Sequence, residues 1–203
     1  MTRRVYFPFH YKPDISRANV VRNSWVTQER EAAGFIDASL WEDAKTQGEE
    51  AVKALIRGSL KNTSVTAVLI GEQTANRPAV HYEIQQSIDR GNGILGIRID
   101  QIKDLRGDTS QPGPNPLDEH YVSDGAKLVP LSSVVPTYDW VADDGYQNLG
   151  HWVEDAAVSA GRGRVSVNRE ASGSSSGLLI GLGLAALAMW AIHELTKPPT
   201  GSS

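Results

Sequence analysis

The chain has 203 residues, 40% of them hydrophobic and none of them cysteine, which is enough to bury one sizeable core and excludes both disulfides and thiolate metal sites. Its formal net charge of -4, with Lys and Arg scattered along the chain, provides no basic stripe and argues against nucleic acid as a partner. The N-terminus lacks the charged-then-apolar pattern of a signal peptide, so the folded head is expected to be cytoplasmic.

In chain order, Arg4 to His10 has the aromatic and β-branched content of a strand and is expected to be the first, central one. Asp14 or Ser16 can cap a helix running to about Ser24, with Ile15, Ala18, Val21 and Trp25 on its apolar face and Arg17 and Arg22 elsewhere. Ala33 to Leu40 reads as a short edge strand, and Glu49 to Gly58 as a helix carrying Ala51, Leu55 and Ile56. Val65 to Ile70 is almost wholly apolar, the composition of a parallel strand covered on both faces, and Gly71 ends it. Asn76 to Arg90 then places Val80, Ile84 and Ile88 on one helical stripe, with Asn76 as N-cap and Pro78 in the first turn. Gly91 and Gly93 break this helix, and Ile94 to Ile99 leads to Asp100. A strand, helix and strand joined in this way require a right-handed βαβ crossover, so the fold class is α/β.

Beyond Asp100, the segment from Gly107 to Asp124 contains Pro112, Pro114 and Pro116 and is expected to be a long surface loop. Order resumes at Leu128 to Leu131 and Val134 to Trp140, and Gly145 to Ala157 reads as a last helix burying Leu149, Trp152 and Val153. The head domain is therefore drawn as residues 1–159, followed by a Gly/Ser/Arg linker over 160–176, an apolar helix over 177–195 and a tail over 196–203. Sixteen residues from Gly177 to Ile192 lack any charged or strongly polar group, and Gly177 and Gly181 have the spacing of close-packing membrane helices. Such a run spans about 24 Å against a hydrocarbon core of about 30 Å, so Leu195 and a locally thinned bilayer would have to help. The first reading is an anchor in the inner membrane, with a core helix as the alternative. Arg162, Arg164 and Arg169 before the run, against Lys197 after it, place the head on the cytoplasmic side.

Gly91-Asn92-Gly93-Ile94-Leu95-Gly96 matches the dinucleotide pattern G-x-G-x-x-G. Its glycines follow a helix and open a strand, the reverse of the required context, so they read as a helix stop and a turn. The histidines at 10, 81, 120, 151 and 193 have no metal-ligand spacing, so no metal is expected. A Ser-His-Asp hydrolase would need a G-x-S-x-G elbow on a strand-to-helix turn, and the head domain has none. Ligands of open parallel sheets lie beyond the carboxyl ends of the strands, which here gathers Phe9, His10 and Tyr11, then Gly71 and Glu72, then Asp100. Glu83, about one and a half turns into the Asn76 helix, can face the rim of that crevice. Position alone leaves it open between a ligand contact and a solvated residue favoured by the helix dipole.

Several ordered blocks carry more information than any of these motifs. Arg4-Val5-Tyr6-Phe7-Pro8-Phe9-His10-Tyr11, Asn19-Val20-Val21-Arg22-Asn23, Asp37-Ala38-Ser39-Leu40-Trp41-Glu42-Asp43-Ala44 and Val68-Leu69-Ile70-Gly71 resemble the TIR-like ThsB family of the bacterial Thoeris antiphage system. Tyr82-Glu83-Ile84, Gly113-Pro114-Asn115-Pro116 and Tyr138 to Tyr146 continue the resemblance in the same order, over about residues 3 to 153.

The resemblance implies a flavodoxin-like TIR fold and an enzyme that takes NAD⁺ as substrate without a cofactor. Such an enzyme cleaves the nicotinamide-ribose bond and releases nicotinamide and a cyclic ADP-ribose isomer. It also implies a phage-derived trigger, a separate effector reached by the diffusible product, and TIR-TIR self-association. The family's catalytic glutamate falls on Glu83. Around it, Phe7, Phe9 and Tyr11 are candidates for walling or stacking on the substrate, Arg17, Asn19 and Arg22 for approaching its pyrophosphate, and His10 and Gly71 for lining the strand ends. Phe7 and Phe9 share a strand face, so at least one is also a candidate core residue. Two positions depart from the family pattern: Ala79 stands where TIR enzymes often carry tryptophan, and Pro8 where relatives tend to have serine. These departures motivate a rival reading, a catalytically silent TIR-like module that binds nucleotide or self-assembles. A flavodoxin-like nucleotide or flavin carrier is the third.

Overall fold

Among the described residues of the computed structural model (3–27, 32–34, 38–124 and 127–166), five strands form one parallel sheet in the order β2-β1-β3-β4-β7. They are β1 (Val5–Tyr6), β2 (Ala32–Gly34), β3 (Val65–Ile70), β4 (Gly93–Arg98) and β7 (Thr137–Asp139), while β5 (Tyr121–Asp124) and β6 (Lys127–Pro130) make a separate antiparallel hairpin. The expected α/β class is therefore observed, with helices on both faces of a parallel sheet.

Strand alternation sorts the core into layers. Val5 and Phe7, Val65, Ala67 and Leu69, and Leu95 and Ile97 point to one face, where α1 (Tyr11–Thr27) contributes Ala18, Val21 and Trp25 and α5 (Gly145–Ser166) contributes Leu149, Trp152 and Val153. Val68, Ile70 and Ile94 point to the other, under Val80 and Ile84 of α4 (Pro78–Arg90). Tyr6 shares that second face and packs with Ile56 and Leu60, at and just beyond the end of α3 (Glu49–Ser59), and with Trp41 of α2 (Ala38–Gln47). Because α1 covers one face and α4 the other, strand order reverses between β1 and β3. In doubly wound sheets that reversal is where ligands bind.

The structure corrects several expected boundaries. β1 is assigned to two residues rather than Arg4 to His10: Pro8 has no N–H to continue the ladder, although its carbonyl still accepts from Leu69 N at 2.9 Å. The edge strand is Ala32–Gly34, and Ala38 to Leu40 already belong to α2, a helix the sequence reading did not assign. Neither Asp14 nor Ser16 caps α1, which starts earlier, at Tyr11, and takes Pro13 into its first turn. Arg77, not Asn76, is the N-cap of α4, since Thr74–Asn76 form a 3-10 turn ahead of Pro78. The expected loop over 107–124 contains a 3-10 turn at Pro116–Glu119 and the strand Tyr121–Asp124. Helix α5 runs to Ser166, so the start of the expected linker is helical.

Gly91 ends α4 in the left-handed conformation at φ 66, and Gly91 and Asn92 N–H groups close on the Ile88 and Ser87 carbonyls at 2.9 and 3.0 Å. The G-x-G-x-x-G match is thus a helix stop leading into β4. The proposed anchor at 177–195 and its tail lie outside the described residues. Among the described residues, no helix is long and apolar enough to cross a membrane.

Candidate active site

The site is built where β1 and β3 part company. Glu83 sits on the inward face of α4 with Val80, Ile84 and Ser87, a spacing that turns it toward the sheet. Ser87 Oγ donates to the Glu83 carbonyl at 2.7 Å and accepts from Thr66 Oγ1 at 2.8 Å, which pins this turn of the helix onto β3. Glu83 is only 6% exposed. It is therefore not the solvated helix-start glutamate that position alone allowed.

Its partner comes from β1. The Tyr6 phenol, on a side chain 1% exposed, donates to Glu83 Oε1 at 2.5 Å. Burial pushes the Glu83 carboxyl up to about 8 from an ordinary 4.5, and the Tyr6 hydrogen bond pulls in the opposite direction. Tyr6 is itself raised well above the ordinary phenol range, by burial first and then by the neighbouring carboxylate. The phenol therefore stays protonated and acts as a donor. Tyr6 was not among the expected site residues. Its signal was the alternation of β1: if Val5 and Phe7 face one layer, Tyr6 must face the layer that carries α4.

At the carboxyl edge of the sheet, Gly71 ends β3 with its N–H on Thr74 Oγ1 at 2.9 Å. A Cβ at Gly71 would lie 2.4 Å from Asp14 Oδ2, so glycine is required for α1 to approach β3 this closely. Asp14 is 1% exposed and its Oδ2 has no hydrogen-bond partner; burial raises this carboxyl to about 6 from 3.8, with Arg17 opposing and Glu72 adding to the shift.

The other expected residues divide. Phe7 is a core residue, edge-on to Trp25 with ring centroids 6.5 Å apart, while Phe9 is partly buried against the same cluster. His10 is half-buried at the strand end, and its carbonyl accepts from Asp14 N at 3.3 Å. Tyr11 opens α1, and its side chain lies outside the described residues. Arg17 is 5% exposed and committed to structure: it donates to the carbonyls of Ile102 at 2.8 Å, Asp108 at 2.9 Å and Pro13 at 3.3 Å. Asn19 is half-buried and Arg22 exposed. From Tyr11, at the strand end, the 1.5 Å rise per residue carries Arg22 about 16 Å down α1, away from the carboxyl edge. The structure thus brings Gly71, His10 and Phe9 to the sheet edge and leaves Arg22 well away from it.

On the outer side of α4, His81 and His120 are joined through Nδ1 and Nε2 at 3.1 Å, with His81 Nε2 on the Ala75 carbonyl at 2.6 Å. A carbonyl only accepts, so His81 carries a proton on Nε2. Burial, then His81, lowers His120 to about 4. Among the described residues, no group of three or more His, Cys, Asp or Glu is placed to hold a metal.

Comparison with known proteins decides the family. Residues 6–104 match the family described as Thoeris protein ThsB, TIR-like domain. A protein of Bacillus cereus (strain MSX-D12) named "Putative cyclic ADP-D-ribose synthase ThsB1" is 46% identical over 191 residues, covering 75% of this chain and 100% of that protein. The chain belongs to the Thoeris ThsB TIR-like family. In this ThsB-family protein the matched segment runs from Tyr6 on β1 to Asp104 after β4, so it contains both strands of the switch point, helix α4 and the Tyr6-Glu83 pair.

Proposed function

We propose that this ThsB-like protein cleaves NAD⁺ at the nicotinamide-ribose bond and closes the remaining ADP-ribose into a cyclic messenger for antiphage defence, with Glu83 as the catalytic carboxylate. The observation that carries the reading is a buried carboxylate at the β1/β3 reversal, in a chain whose relative bears the name of a cyclic ADP-D-ribose synthase.

In that reaction the C1′–N bond breaks with its electron pair going to nicotinamide, which leaves neutral. Positive charge develops on C1′ and the ring oxygen of the ribose. A fixed carboxylate in a water-poor site stabilises this charge far more than it would in bulk water. Cyclisation then requires a nucleophile of the substrate's own ADP-ribose portion to be held near C1′, where proximity favours it over water. Either nucleophile, the ADP-ribose group or water, releases one proton to solvent as the new bond forms, and capture by water yields the open hydrolysis product. Burial of Glu83 fits such chemistry. The resting acid, near 8, is largely protonated at pH 7, while the cationic nicotinamide ring of bound NAD⁺ and the charge at C1′ both favour its ionised form. Gly71 and Phe9 at the strand ends are the proposed lining. A phage-derived trigger, TIR-TIR self-association and an effector that reads the product complete the proposed system.

The same burial also supports a second reading, a catalytically silent TIR-like module whose acid never ionises. One assay separates the two: purified protein is incubated with NAD⁺ and nicotinamide is followed for wild type and Glu83→Gln. Release by wild type that rises with pH toward about 8 and is lost in Glu83→Gln is expected. Equal release from both proteins rejects Glu83 as the catalyst.

A further inference from the structure

The Tyr6-Glu83 contact joins the central strand region to α4, and its two halves differ in freedom. The Tyr6 ring is held among Ile56 and Leu60, with Trp41, Val52, Ala79 and Tyr82 packed against the same cluster. The glutamate has three rotatable bonds, so it is the partner whose geometry the contact sets. Among the described residues, Glu83 Oε1 takes the phenol and Oε2 has no hydrogen-bond partner, which leaves Oε2 as the oxygen available to a ligand.

We propose that Tyr6 is a positioning residue for this chemistry: its phenol fixes Oε1 so that Oε2 faces the scissile ribose carbon, and it favours the charged carboxylate that the reaction needs. The proposal rests on the assignment of Glu83 as the catalyst. Its physical basis is an asymmetry in the hydrogen bond. A phenol donor 2.5 Å from a carboxyl oxygen interacts more strongly with an anion than with a neutral acid, so it offsets part of the desolvation that opposes ionisation. Burial keeps the phenol protonated, so it remains a donor throughout the cycle and is neither base nor nucleophile. The ring of phenylalanine would fill the same space without supplying the donor.

The test is Tyr6→Phe beside Glu83→Gln in the full chain. Expected for Tyr6→Phe is a fall in kcat for nicotinamide release of about 10- to 100-fold at pH 7, the scale of losing a hydrogen bond to a charged group, with KM for NAD⁺ little changed. The rise of kcat with pH should move upward by about one pH unit or more, because the variant's carboxyl is harder to ionise. Carbon-13 NMR of glutamate carboxyls, with Glu83→Gln to assign the signal, should show Glu83 titrating at higher pH in Tyr6→Phe than in wild type. A reduced kcat with neither the profile nor the titration shifted would mean that Tyr6 only packs, and would overturn the proposal. The titration requires no turnover, so it decides the Tyr6 question on its own. Loss of the Glu83 assignment is read separately, from nicotinamide release that survives in Glu83→Gln.

Discussion

Asp14 sits in the first turns of α1, with Oδ2 in the space that a Cβ at Gly71 would take and without a hydrogen-bond donor. Its carboxyl, at about 6 in the folded chain against an ordinary 3.8, costs stability once ionised. The folded state binds the proton more tightly, so the favourable contribution is complete below about pH 4 and is lost as pH rises through about 6. The gap corresponds to about 3 kcal/mol at full ionisation. Asp14→Asn should therefore match wild type near pH 4 and exceed it by up to about 3 kcal/mol at pH 8, read from urea unfolding at both pH values. Identical slopes of stability against pH would show that Asp14 is not the group responsible. Legibility at this scale was uneven. Glu83 was marked by its place in the helix and by resemblance, and its spacing with Val80 and Ile84 marks the inward face, but the depth of its burial depends on β1 and β3 meeting α4, which that spacing does not encode. The sequence offered Asp14 as a cap because acidic residues near helix starts usually serve that role. Pro13 inside the first turn moved the helix start upstream and buried it instead.

Arg17 ties elements together. Its guanidinium binds the Ile102 and Asp108 carbonyls, so helix α1 holds the segment that follows β4. A pyrophosphate ligand would leave such donors open to solvent, whereas three of the five N–H groups here are used on backbone. Arg17→Met keeps much of the volume and removes the donors. It should lose about 1–3 kcal/mol in urea unfolding, since the buried Ile102 carbonyl is left without its donor, while KM for NAD⁺ stays near wild type. A large rise in KM with little change in stability would restore the pyrophosphate role. The elements themselves were read best where one physical cause dominated. β3 was legible residue for residue because a strand buried on both faces is nearly all apolar, and its one polar residue, Thr66, is β-branched like the rest of the strand. β1 was overdrawn because Pro8 stops the ladder inside an otherwise strand-like run. Order was expected from Leu128, within β6, but β5 and its pairing were missed because the prolines before it read as loop and because the two strands, exposing Tyr121 and Leu128, lack a clean apolar face.

For the whole molecule, the strand order β2-β1-β3-β4-β7 fixes where a ligand can meet both Glu83 and the sheet edge. The central strands β3 and β4 are buried along nearly their whole length and should exchange amide hydrogens only on global unfolding, whereas the hairpin should exchange by local opening. Adding NAD⁺ to Glu83→Gln, which should bind without turnover, makes this a map of the site. If NAD⁺ occupies the β1/β3 reversal, hydrogen exchange should slow over residues 7–14, 71–76 and the first turns of α4, with little change in the hairpin or along α5. The separation is informative because α1 and α5 share one face of the sheet while α4 lies on the other, so a ligand resting on either helical layer alone would protect only that layer. Joint protection of the start of α1 and the start of α4 requires contact at the edge between layers. Slowing confined to the β5–β6 hairpin would place the nucleotide away from Glu83 and remove the carboxylate from the reaction.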